Sequence, residues 1–389
     1  MKIAKILGTA VLVSTLGAQA YAAPAAKDVL TTYADIAHAG YEDSVITAKK
    51  LQTAVNTLIA DPSATSFDAA KSAWLAARAP YQQTEVYRFG NAIVDDWEGK
   101  VNAWPLDEGL IDYVETDLYG EESEENPAYA ANVIANPSLS ISGETIDASI
   151  IDTGLIESLH EIDDVESNVA TGYHAIEFLL WGQDLHGTDA GNGDRAWTDY
   201  AKGDDCTNGN CDRRGAYLKA ATDLMVSDLE WMTAQWVDGG EARAAVLEGD
   251  GVPGLTAMVT GMGSLSYGEL GGERTKLGLL LHDPEEEHDC FSDNTHNSHY
   301  YDALGIQNVY LGRYTRVDGS VVEGASLSDL VAANDAALDT ELRGKLASSV
   351  LAGKAMVTRA EGGEAFDQLI AMGNDDGNAV VQTVVDALV

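Results

Sequence analysis

"VLTTYADIAHAGYEDSVITAKKLQTAVNTLIADPS", residues 29–63, carries its apolar side chains at three- and four-residue steps, among them Val29, Tyr33, Ala37, Tyr41, Ala48, Leu51, Val55 and Leu58. That spacing puts them on one face of a helix with 3.6 residues per turn, and "DPS" at 61–63 ends it. The same period recurs downstream and predicts helices over 66–90, 217–237, 327–357 and 364–388. Strand patterning is thin: "SLSISGETI" at 138–146 reads as a small hairpin with Gly143 at its turn. The fold class that follows is all-α, built as two helical bundles. The polar, glycine-rich loop His186–Gly215 is the place to divide them, into 23–205 and 206–389. "HAIEFLLWG" (174–182) and "IQNVYLGRY" (306–314) form a faint internal echo, each ending an apolar run in glycine.

The chain starts with Lys2 and Lys5, a short apolar core from Ile6 to Leu16, and Ala20-Tyr21-Ala22, a small-x-small cleavage pattern. Residues 1–22 therefore read as a secretory signal segment, and the expected location is the periplasm or the cell surface. No later stretch approaches the ~20 apolar residues a spanning helix needs. Across 389 residues, Asp and Glu outnumber Lys and Arg by 63 to 23, a formal charge of −40. Such a surface repels nucleic acid and anionic lipid and suits salty water. Cys206 and Cys211 bracket a polar loop, and in an exported chain a local disulfide is the first reading, a small zinc knot the second. Cys290 is left as a buried small hydrophobe or, less simply, a thiolate ligand.

Three stretches carry chemistry. In "TGYHAIEFLLWGQD" (171–184), His174 and Glu177 are three apart in an oily run and share a helix face, with Trp181 one turn on. Burying such a pair requires either a mutual partner or a ligand. In "AWLAARAPYQQTEVYRFG" (73–90), Trp74, Arg78, Tyr81, Glu85 and Arg88 fall on one stripe that alternates aromatics with charges. A surface ion pair and a half-buried polar cleft both fit that stripe. "LHDPEEEHDCFSDNTHNSHYYD" (281–302) holds His282, His288, His296 and His299, four of the chain's eight histidines. Asp293 and His296, three apart beside Cys290 and Phe291, are the candidates there, while "EEE" reads as a solvated run. Zinc-peptidase helix motifs, nucleophile elbows, P-loops and dinucleotide fingerprints are all missing.

"GYHAIEFLLWGQD" resembles the GxHxxE signature of the imelysin-like family, with Gly172, His174 and Glu177 as its fixed members. "SYGELGGERTKLGLLLHDPEEEHDCFSDNTH", "GIQNVYLGRY" and "AWLAARAPYQQTEVYRF" resemble its branch called iron-regulated protein A, so the resemblance spans nearly the whole chain. It implies an exported protein of two helical bundles with a functional cleft between them, a link to iron uptake, and a metal held partly by the HxxE pair. The family is named for insulin-cleaving peptidases, so a metal-dependent peptidase is the alternative to a capture protein. A cell-surface interaction module without metal is a third reading. The expected ligands are His174 and Glu177, completed by Glu85, Asp293 and His296. Gly172, Trp74, Arg78, Tyr81, Arg88 and Trp181 are expected to line the cleft. Iron is the first expected metal and zinc the second. The expected partners are the metal ion or a metal-bearing small ligand, with a membrane-associated uptake partner.

Overall fold

The computed structural model describes residues 23–389; the expected signal segment lies outside them. The first bundle is formed by α1 (Ala26–Ala60), α2 (Ala64–Gln82), the short α3 (Ala92–Asn102), α4 (Gly172–Trp181) and α5 (Cys211–Gln235). In it α1 lies between α2 and α5, and α4 packs on α2, α3 and α5. After α6 (Val252–Gly263) the chain widens into a π-type helix over Ser264–Lys276. This packs with α7 (Thr295–Leu311), α8 (Ala336–Glu361) and α9 (Asp375–Leu388) as the second bundle. One continuous apolar core runs through both. Helix α5 begins beyond residue 205 yet packs against α1, α3 and α4, so a cut at 205 divides the first bundle. Where α7 meets α2, Gly305 lies against the Gln83 backbone, an approach that a Cβ would block.

Helix α2 opens with a capping box between Ser63 and Ser66, and it stops at Gln82 instead of continuing to 90. Pro80 has no N–H to donate and ends the regular ladder within a turn; Glu85–Tyr87 form a separate 3-10 turn. The run expected at 327–357 breaks at Asp335, whose side chain accepts from the Ala337 and Leu338 N–H groups and starts α8 anew. The run at 364–388 likewise splits into Phe366–Ile370 and α9, across Gly373 in a left-handed conformation.

The hairpin β1 (Ser138–Ile141) and β2 (Glu144–Asp147) forms as expected, turning at Ser142-Gly143. A second hairpin, β3 (Arg313–Thr315) and β4 (Val321–Glu323), was not legible in the sequence. It is latched to α1 by buried Asp43, which accepts from the Tyr314 hydroxyl, the Arg316 guanidinium and the Val317 N–H. Cys206 and Cys211 are disulfide-bonded, and Cys290 is free and buried. No described helix is long and apolar enough to cross a membrane.

Candidate metal centre

Gly172 opens α4 with a φ of 81°, and a Cβ there would collide with the Val101 carbonyl of α3. Glycine is thus what lets α4 seat on α3 and carry His174 inward. One turn on, Glu177 Oε2 lies 3.1 Å from His174 Nδ1. The other oxygen of Glu177 accepts from the Ser292 N–H at 3.0 Å and the Ser292 hydroxyl at 2.6 Å. The HxxE pair therefore fixes one imidazole and ties α4 to the irregular segment that precedes α7.

That segment delivers His288 and Asp289. The rings of His174 and His288 meet edge-on with centroids 4.6 Å apart, and Trp104 packs against both. Ligand-capable atoms of His174, His288 and Asp289 all lie within 4.8 Å of one another. Arg78, from α2, holds Asp289 through Nη2 to Oδ1 at 2.7 Å. Asn294 Nδ2 and the Ser298 hydroxyl donate to the second oxygen. Arg78 also donates to Asn102 Oδ1 at 2.6 Å, and Asn102 in turn to Glu98 Oε1 at 3.1 Å.

Burial decides the protonation states. It lowers His174 to about 3, with Arg78 adding to the effect, and it drives His288 well below the usual imidazole range, with Arg274 next in weight. Burial raises Glu177 well above the carboxylate range, and Asp289 reinforces it. For Asp289 burial pushes upward too, but Arg78 and the surrounding hydrogen bonds outweigh it and keep the group ionised. The result is two neutral imidazoles beside one carboxylate. His174 Nε2 and His288 Nδ1 are buried without any hydrogen-bond partner, an arrangement that costs stability unless something fills it. Two imidazoles and a carboxylate match the donor set of divalent iron, and zinc accepts the same set.

Two cavities flank the cluster, and Trp104 and Pro105 stand between them. One, of about 740 Å³, is bordered by His288, Asn102, Glu98 and Arg274, with Glu161 and Glu269 among its acidic walls. The other, of about 540 Å³, is bordered by Glu108, Asp184 and Glu287.

The remaining expected residues separate. Glu85 pairs with Arg274 at 3.2 Å, in a neighbouring network where Arg274 also reaches Glu269 and Asp302. Asp293 and His296 do not join the His174 group, because Asp293 sits in a left-handed turn and α7 starts only at Thr295. Of the expected cleft-lining residues, Arg88 borders the larger cavity. Trp74, Tyr81 and Trp181 are core: Trp74 donates to the Tyr173 carbonyl and meets Trp181 edge-on. Gly172 is a packing contact, and Arg78 lies behind Asp289 with its guanidinium over the Tyr173 ring. Sequence reasoning missed His288 and Asp289. The available signal was a buried arginine on α2 that needed a carboxylate, together with a lone HxxE pair that needed more ligands.

The imelysin family model matches residues 37–389. The chain belongs to the imelysin family. Iron-regulated protein A of Synechococcus elongatus is 37% identical over 60 residues, a stretch covering 15% of this imelysin-family chain and 17% of that protein. The fold is similar to that of a protein described as an iron-regulated protein A precursor from Parabacteroides distasonis. Its TM-score is 0.66 at 18% identity, covering 94% of this chain and 95% of that one. An imelysin-like protein from Psychrobacter arcticum gives a TM-score of 0.59 at 15% identity, covering 95% and 93%. These likenesses show the fold alone, and it is the mostly helical one expected from the sequence.

Proposed function

We propose that this imelysin-family protein is an exported capture protein for a divalent transition-metal cation, iron first and zinc second, destined for a membrane-associated uptake partner. His174, His288 and Asp289 hold the ion, and Glu177 orients His174 through Nδ1. The observation that carries this reading is the pair of buried, unpartnered imidazole nitrogens beside an ionised carboxylate. Metal binding needs neutral imidazole and ionised carboxylate, and burial together with Arg78 supplies both. The acidic walls of the larger cavity concentrate cations next to His288. An anionic chelate fits less well, since Arg78 and Arg274 already face carboxylates. Peptide hydrolysis would need a free carboxylate beside an open metal position. Glu177 has both oxygens committed, to Ser292 and His174, so binding is the better reading.

The test is calorimetric titration of the mature protein with iron(II) and with zinc. One ion per chain is expected, lost in a His174→Ala/His288→Ala double variant. Unchanged stoichiometry in that variant would remove this site.

A further inference from the structure

One face of α3 runs from solvent to the imidazoles. Asp95, Glu98 and Asn102 follow one another at steps of three and four residues, so they share that face. Side-chain exposure falls along it, from 51% at Asp95 to 7% at Glu98, and Asn102 is buried. The last step reaches the metal centre: Asn102 Nδ2 donates to Glu98 Oε1 at 3.1 Å and lies 3.4 Å from His288 Nε2. Glu98, Asn102 and His288 all border the 740 Å³ cavity. His174 and Asp289 border neither cavity, so His288, buried with Nδ1 unpartnered, is where the centre meets open space.

Arg88 spans the outer part of this face. Its Nη1 lies 3.4 Å from Glu98 Oε2 and 3.5 Å from Glu269 Oε1, and its Nε lies 3.1 Å from Asp95 Oδ1. Two carboxylates from different helices thus converge on one nitrogen, which marks a position built for positive charge. Arg274 fixes Glu269 there through Nη2 at 2.8 Å. Arg274 is buried, whereas Arg88 is 25% exposed and reaches the rim. Ion pairs so exposed are weak and open readily.

We propose that the metal ion enters and leaves through the larger cavity, passing between Glu98 and Glu269 at the position of Arg88 Nη1, and that Arg88 is the gate it displaces. The inference rests on the transition-metal reading and adds a route to it. Two carboxylates draw a divalent ion more strongly than a single guanidinium charge, and Arg88 keeps Asp95 as a partner when it moves aside. Glu98 and Arg88 then govern the rates of entry and release, while His174, His288 and Asp289 set the affinity.

The test is stopped-flow mixing of chelator-stripped mature protein with zinc chloride, followed by tryptophan fluorescence, because Trp104 packs against both imidazoles. Release is read by mixing zinc-loaded protein with excess EDTA, and Kd by calorimetry. Glu98→Gln should slow entry and release alike, about tenfold, with Kd held within about threefold. Arg88→Gln, at a partly exposed position, should speed both, and it serves if Glu98→Gln does not fold. Glu108→Gln, on the smaller cavity, should change neither. Faster release with unchanged entry, and Kd weakened to match, would make Glu98 a ligand or a brace and overturn the route. So would unchanged rates in the folded variants, or slowing by Glu108→Gln equal to that by Glu98→Gln. Wild-type protein that binds no zinc would overturn the metal reading itself, and the route with it.

Discussion

Asp112 and Glu287 are equally hidden, at 2% and 1% exposure, and the fold treats them in opposite ways. Asp112 is met by Arg195 at 2.7 Å and by Arg214 at 2.6 Å, and Arg195 also reaches Asp199. Burial pushes Asp112 upward, but the two guanidiniums outweigh it and the group stays ionised. Glu287 has no arginine, and burial and neighbouring carboxylates raise it. The centre at His174, His288 and Asp289 lies between these cases, with its carboxylate paired to Arg78 and its imidazole nitrogens left open. The difference separates polar groups that are matched within the protein and fasten the fold from those left without a partner.

The strongest way to break that contrast is at the matched end. Asp112→Ala leaves Arg195 and Arg214 buried without their shared partner, and should cost about 3–5 kcal/mol in chemical denaturation. A loss below ~1 kcal/mol would mean the arginine knot is not a fastening. A smaller effect should appear at Glu108, on the unmatched cavity, where burial raises the carboxyl to about 7. Its folded-state pKa lies above the unfolded value, so the native state holds the proton more tightly. The stability it contributes is complete below about pH 4.5 and is lost as pH rises towards 7. In chelator-containing buffer, wild-type stability should therefore fall between pH 5 and 8 relative to Glu108→Gln, by of order 2–3 kcal/mol. Asp112 carries the opposite sign: its contribution is present above the unfolded pKa and is lost as pH falls. Parallel pH profiles for wild type and Glu108→Gln would contradict the contrast.

Much of this was legible in the sequence because helices announce themselves by period. The all-α class, the long first helix and the shared face of His174 and Glu177 follow from three- and four-residue spacing. The stretch 281–302 reads in the sequence as a loop feeding a helix, and it is one: Asp293 sits in a left-handed turn and α7 starts at Thr295, so the three-residue spacing of Asp293 and His296 defines no common face. Glu85 seemed to continue the stripe of Trp74, Arg78 and Tyr81, but the helix ends at Gln82 and the register is lost. His288 and Asp289 lie in an irregular segment placed by long-range bonds, among them Ser292 to Glu177 and Arg78 to Asp289. Local periodicity carries no record of such contacts. The division near 205 failed to mark the bundle edge for a related reason: a disulfide-closed polar loop looks like a linker, yet α5 begins inside it and packs back on α1.

The central claim, that two open imidazoles and an arginine-held carboxylate form a cation site, is tested most directly by anomalous scattering from crystals of the mature protein grown with zinc or iron(II). One strong peak within bonding distance of His174, His288 and Asp289, absent from the metal-free crystal, is the predicted result. Density confined to surface carboxylates, with both buried nitrogens still unpartnered, would contradict the account.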